Sequence, residues 1–324
     1  MTCYHPIKAY RSKSLTVNGK RQLVFDESKS NGDSIEIPCG RCIGCKLQRS
    51  LDWATRISHE ASLNGDNNCF VTLTYSPENL PQNGTLVLAH HQQFLKRLKS
   101  AVRYKYGKLA AKKIRFFMCG EYGDELQRPH YHYCLLGWDF PDKVHYKSNG
   151  RGDRLYKSQM LQDVWPYGFA NTAAVTFESA AYVARYCTKK LNGPLAETHY
   201  SRIDVETGEI ISKKPEFTAM SLKPGIGEGW LQKFSTDVTN GDYVVTRAGA
   251  KMRPPRYYDK KNEVLNPEKH RKNLIKRESN LVNIFGSDEY NRRALDNTSE
   301  RLKVKETVQL RTVQQSLNRK MEME

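Results

Sequence analysis

Apolar positions along this chain follow two different periods. From Lys46 to Leu63, the residues Leu47, Leu51, Ala54 and Ile57 recur at helical intervals while Arg49, Arg56 and Glu60 fall elsewhere, which predicts an amphipathic helix ended by Asn64-Gly65. At Cys69 the pattern changes to the β-branched and aromatic run Phe70-Val-Thr-Leu-Thr-Tyr75, closed by Ser76-Pro77 and read as a strand. Leu88 to Tyr106 returns to the helical period through Phe94, Leu95, Leu98 and Val102. Ile114 to Glu121 and His130 to Gly137 read as two more strands, and the short connection Tyr122 to Pro129 makes them antiparallel neighbours.

Further on, His145 to Arg154 reads as a hydrophilic insertion, Ser158 to Val164 as a short helix and Thr172 to Phe177 as a strand. Ser179 to Leu191 reads as a helix with Ser179 at its N-cap and Asn192-Gly-Pro194 as its terminator. Residues 196–258 are rich in turns and weakly periodic, so the pattern assigns them no topology. From residue 259 the chain is charge-dense and poor in aromatics. The expected organisation is α+β: an N-terminal Cys-rich module with its helix (1–62), a central domain (63–258), and a charged C-terminal tail (259–324) that is helical in pieces or disordered.

Composition narrows the function. The 324 residues carry a formal charge of +17, which favours a polyanionic partner, nucleic acid first, over a small neutral substrate. No apolar stretch approaches membrane-spanning length, and the start lacks the apolar core of a signal peptide, so a soluble protein is expected. In that setting the 8 cysteines read as thiols or metal ligands, not disulfides.

The chemistry concentrates in three places. His130 and His132, two apart on a strand, share a face, and Glu121 at the end of the preceding strand can converge on them across a hairpin. One carboxylate with two imidazoles suits Mg²⁺ or Mn²⁺ at work on a phosphate, and also accepts Zn²⁺. Tyr182 and Tyr186, four apart, share one side of a helix, with Lys189 on that side and Lys190 beside it. A phenol with a pKa of roughly 10 needs such help to attack a phosphodiester. Cys39, Cys42 and Cys45 stand three residues apart, with Cys3 or His5 available as a fourth ligand, a pattern that suits structural Zn²⁺; reduced thiols at a turn are the plainer reading. Cys69, Cys119, Cys134 and Cys187 read as core residues.

Taken in order, Phe70-Val-Thr-Leu-Thr-Tyr75, Gly120-Glu-Tyr-Gly123 with Arg128-Pro-His-Tyr-His132, and Tyr182-x3-Tyr186 with Lys189-Lys190 resemble the three motifs of HUH-superfamily rolling-circle replication initiators. More narrowly, the chain resembles the initiators of gokushovirus-type microviruses, which are single-stranded DNA phages. The resemblance covers roughly residues 1–258, and Tyr131 stands where the signature usually has a hydrophobic residue.

The resemblance implies the HUH endonuclease fold, a central antiparallel sheet with flanking helices. It implies a metal held by Glu121, His130 and His132, nucleophiles Tyr182 and Tyr186, and Lys189 or Lys190 as electrostatic helper. The implied activity is to nick the origin strand, leaving a 5′-phosphotyrosine link and a free 3′-hydroxyl primer, and later to rejoin the displaced strand. The implied setting is the host bacterial cytoplasm, with a host helicase and DNA polymerase as partners, since the chain has no Walker loop of its own. A plasmid relaxase or single-strand transposase of the same superfamily is the alternative enzyme, and a zinc-containing nucleic-acid-binding regulator the alternative class. Single-stranded origin DNA would meet basic residues interleaved with tyrosines, for which Lys96, Arg97, Arg128, Arg185, Arg253 and Arg256 are the candidates.

Overall fold

The computed structural model describes residues 3–16, 21–123, 126–150, 152–186, 200–203, 208–246, 249–282 and 287–321. It divides into two compact units, one of residues 1–48 with 277–322 and a larger one beginning at Arg49 and running to Lys276.

The smaller unit opens with a three-stranded antiparallel sheet of β1 (Ile7–Leu15), β2 (Arg21–Val24) and β3 (Ser30–Ile37), with β1 in the middle. Its short polar strands carry no clear alternation, so periodicity does not reveal them. Ala9 and Tyr10 are buried, as is Leu302 on the helix Ser299–Met321. Helix α1 (Ile43–Ser62) starts three residues before the predicted one, and its residues from Arg49 on belong to the larger unit.

The larger unit is built on a seven-stranded sheet. Its members in chain order are β4 (Asn68–Tyr75), β5 (Arg115–Tyr122), β6 (Pro129–Leu136), β7 (Val144–Ser148), β8 (Arg154–Lys157), β9 (Gly168–Ala174) and, after the separate pair β10 (Ser201–Ile203) and β11 (Ile210–Ser212), β12 (Phe217–Met220). The spatial order is β12-β5-β6-β4-β9-β8-β7, and every pairing is antiparallel. Three more helices belong to this unit's sheet region: α2 (Leu88–Lys113), α3 (Gln159–Val164) and α4 (Phe177–Tyr186).

Both faces of the inner strands are covered. On one face, Phe94, Leu98 and Val102 of α2 pack on Val71, Leu73, Met118, Tyr131, Tyr133 and Leu135. On the other, Ala54 and Ile57 of α1 and Ala180 and Val183 of α4 pack on Phe117, Cys119, Cys134 and Leu136. Burial of these apolar side chains is the main stabilising term, at about 25 cal/mol per Å² removed from water. The strand alternation thus sends Tyr131 and Tyr133 to the α2 side and His130 and His132 to the α1/α4 side.

Several predicted boundaries move. Helix α2 continues through Gly107, where the backbone turns left-handed (φ 88°), to Lys113. The strand expected at 172–177 lies at Gly168–Ala174, and α4 begins at Phe177, not Ser179. The reason is a capping box: Thr176 Oγ1 accepts from the Ser179 amide (3.1 Å) and Ser179 Oγ from the Thr176 amide (2.8 Å), so Thr176 is the cap. The segment read as a hydrophilic insertion is the hairpin β7–β8, which extends the sheet to its edge. No helix among the described residues is long and apolar enough to cross a membrane.

Candidate functional site

The hairpin β5–β6 builds the site through its register. Glu121 is the direct partner of His130, and Cys119 of His132; directly paired residues share a face, so the carboxylate and both imidazoles point the same way. Glu121 Oε1 lies 2.8 Å from His130 Nε2 and 2.9 Å from His132 Nε2. The carboxylate is buried and His132 nearly so. Burial pushes the Glu121 carboxyl up, but the hydrogen bonds and charges of the two imidazoles outweigh it and hold its pKa below the usual value.

The outer nitrogens are held as well. His130 Nδ1 donates to the Arg128 carbonyl at 3.1 Å, and His132 Nδ1 is 3.0 Å from Thr72 Oγ1 on the neighbouring strand β4. With Nδ1 of His130 committed to a carbonyl, a neutral imidazole turns the lone pair of Nε2 toward Glu121. Two nitrogens and a carboxylate oxygen facing one another at such distances suit a shared cation. The second carboxylate oxygen, Oε2, is buried and finds no hydrogen-bond partner among the described residues, a further sign that the site suits an ion. These three side chains form one of the two groups of potential ligands among the described residues.

Helix α4 presents its tyrosine to this cluster. Ala180, Val183 and Ala184 are fully buried, and Val183 and Ala180 pack on the sheet. Tyr182 is half-buried, with its ring centroid 5.4 Å from that of His132 at an interplanar angle of 84° and 6.5 Å from that of Phe70. Tyr186 is the last residue of α4; its side chain, with Cys187, Lys189 and Lys190, lies outside the described residues. Tyr131, between the two histidines, is fully buried on the far side, where its hydroxyl meets Tyr75 Oη at 2.9 Å and the Val87 amide and carbonyl at 3.0 and 2.9 Å.

The smaller unit gathers the second group, Cys3, Cys39, Cys42 and Cys45, whose sulfurs all lie within 4.8 Å of one another. Cys39 and Cys45 are 4.0 Å apart and Cys3 and Cys42 3.9 Å, close to the edge of about 3.8 Å for tetrahedral Zn²⁺ with bonds of about 2.3 Å. Backbone amides point at the sulfurs: Arg41 and Cys42 donate to Cys39, Tyr4 and Cys45 to Cys42, and Cys39 to Cys3. For Cys39, burial raises the thiol pKa, yet the two amide donors prevail and bring it to about 7, which favours the ligating thiolate. His5, the alternative fourth ligand, pairs instead with Glu306. Cys69, Cys119 and Cys134 are buried free thiols.

The basic candidates scatter. Lys96 and Arg97 are on α2, across the sheet from the histidines; Lys96 is half-buried to exposed along that helix, while Arg97 lies 5.4 Å from the Tyr167 ring and its Nη1 is buried. Arg128 adjoins His130 and donates to the Tyr75 carbonyl at 3.0 Å. Arg185 is in the last turn of α4. Arg253 is 3.6 Å from Asp259, and Arg256 opens the helix Arg256–Leu265. Thr72 is a site residue that motif reading misses, although its place two before Thr74 in the predicted strand already puts it on one face with that residue.

A family model for replication-associated proteins of the ORF2 type matches residues 68–191, which span β4 through α4. The chain is 32% identical over 272 residues to replication-associated protein VP4 of Bdellovibrio phage phiMH2K, covering 83% of this chain and 79% of that one. It is 30% identical over 276 residues to replication-associated protein ORF2 of Spiroplasma virus 4, covering 81% of each. A shorter match, 35% identical over 161 residues, joins 48% of the chain to 39% of replication-associated protein ORF4 of Chlamydia phage 1. No solved structure matches.

Proposed function

Because the chain belongs to the family of phage replication-associated proteins, we propose that it starts rolling-circle replication as an HUH-type enzyme that nicks and rejoins single-stranded origin DNA. The observation that carries this reading is the meeting of Tyr182 with the Glu121, His130 and His132 cluster: one carboxylate oxygen 2.8 and 2.9 Å from two imidazoles, and a phenol ring 5.4 Å from one of them.

Glu121, His130 and His132 would hold Mg²⁺ or Mn²⁺. What the ion supplies when bound is Lewis-acid polarisation of a phosphate oxygen. The protein supplies the rest. Thr72 and the Arg128 carbonyl fix the orientation of the two rings, and α4 holds the phenol beside them. The Tyr182 oxygen, having lost its proton, attacks the scissile phosphorus. The bond from phosphorus to the 3′ oxygen breaks, that oxygen takes a proton to become a 3′-hydroxyl, and the 5′ phosphate stays on the tyrosine. Rejoining is the reverse, with a 3′-hydroxyl attacking the phosphotyrosine. By the family resemblance Tyr186 is the second nucleophile and Lys189 or Lys190 the charge that steadies the phosphorane. The Cys3, Cys39, Cys42 and Cys45 group holds structural Zn²⁺ in the same reading.

The test is a tiled set of single-stranded oligonucleotides from the genome that encodes the chain, incubated with Mn²⁺ or Mg²⁺ and run on a denaturing gel. A covalent protein–DNA adduct is expected from the parent and none from the Tyr182→Phe/Tyr186→Phe double variant. Binding without an adduct across the whole set, with either metal, overturns the nicking reading in favour of a regulator.

A further inference from the structure

The row of paired residues that holds the ligands does not end with them. Glu121 on β5 pairs with His130 on β6, His130 with Thr74 on β4, and Thr74 with Phe169 on β9. Paired side chains share a face, so Phe169 stands on the side of the sheet that bears the histidines, two strands beyond His130 and roughly 10 Å from it. It is 64% exposed. A phenylalanine open to water on a sheet whose neighbouring strands are packed on both faces is unusual.

The surroundings of Phe169 are cationic. Beyond β9 come β8 and the edge strand β7, whose residues Arg154–Lys157 and Val144–Ser148 include no acidic side chain. Tyr156 pairs with Thr172, which alternation sets on the opposite face from Phe169; Lys157, next to Tyr156, therefore falls on the Phe169 side, as does its partner Val144, 68% exposed. The Lys157 ammonium lies 5.0 Å and that of Lys147 5.8 Å from the centroid of the exposed Tyr146 ring. Exposed rings with ammonium groups over or beside them, on an open sheet face that leads from the metal ligands, match the demands of an unpaired nucleic-acid strand: base faces stack on rings and phosphates follow the cations.

We propose that Phe169 and the β7–β8 hairpin form a track for single-stranded DNA, with Phe169 stacking on a base one or two nucleotides from the scissile phosphate and Lys157 pairing with a backbone phosphate. The track rests on the nicking reading for its direction but not for its measurement. Stacking and charge leave different signatures, so fluorescence anisotropy of the full chain with a labelled oligo(dT) of about 20 nucleotides, without added divalent metal and over a series of salt concentrations, separates them. Phe169→Ala weakens binding roughly 5- to 100-fold without changing the slope of log affinity against log salt. Phe169→Trp restores the affinity, and Lys157→Gln reduces the slope by about 0.7, the share of one phosphate contact. Phe169→Ala with parental affinity, or Lys157→Gln with an unchanged slope, overturns the track. If the parent still forms its covalent adduct in that case, only the track fails; if the parent neither binds nor forms an adduct, both readings fail. Self-association through the edge strand is the other use of this face, and a Phe169→Ala variant that loses only a dimer in sedimentation, with DNA affinity intact, assigns it to that use instead.

Discussion

Thr72 never touches the carboxylate, yet the orientation of His132 depends on it. Its hydroxyl is 3.0 Å from Nδ1, so it fixes the ring with Nε2 toward Glu121. Outer partners of this kind commonly change metal affinity or activity by about 10- to 100-fold when removed. Thr72→Val, which keeps the shape and deletes the hydroxyl, is therefore expected to raise the Mn²⁺ concentration needed for half-maximal adduct formation by about that factor; an unchanged titration curve removes Thr72 from the site. At this scale the sequence is readable where a side chain's role depends on local register. Glu121, His130 and His132 lie close together in sequence, on one hairpin. Thr72 comes from a different strand, 60 residues away from His132 along the chain, and no spacing rule reaches that far.

Elements are legible in proportion to the regularity of their apolar faces. Strands β4, β5 and β6 and helix α2 bury clear stripes and lie near their predicted places. The hairpin β7–β8 has exposed or half-buried positions throughout, so its pattern carries no period. The shift of β9 has a backbone cause. Gly168 has φ 155°, and a Cβ there would lie 2.2 Å from the Ser76 amide nitrogen and 2.5 Å from the Thr74 carbonyl oxygen. Only glycine lets β9 begin this close to the end of β4. Gly168→Ala must push backbone against backbone, with an expected loss of about 3 kcal/mol in the unfolding free energy of the larger unit. Urea denaturation followed by circular dichroism measures it, and a change within about 0.5 kcal/mol contradicts the close approach.

Across the whole molecule the two units differ in how they are stabilised. The larger has two extensive apolar clusters on its central sheet. The smaller buries only Ala9, Tyr10, Cys42 and Leu302 among its described apolar residues, too few to offset the conformational entropy of so many ordered residues. The cysteine group supplies the missing term if it binds Zn²⁺, since metal binding to such a site is also folding free energy. Elemental analysis of protein purified under reducing conditions is expected to give about one zinc per chain, and its removal by a strong chelator is expected to lower the ellipticity. A metal-free preparation with undiminished ellipticity rejects the zinc assignment. The +17 charge, legible from composition alone, indicates the class of partner, whereas composition does not reveal which unit depends on metal.

The direct pairing of Glu121 with His130 makes the centre all-or-none. Sliding β5 past β6 by a single residue would turn the carboxylate to one side of the sheet and leave the imidazoles on the other. A chain emerging from the ribosome, or one loosened by heat, keeps all its ligands in sequence and none in register. The capacity to cut a strand is thus switched on by the same zippering that completes the sheet, and an incompletely folded copy poses no hazard to the genome it serves.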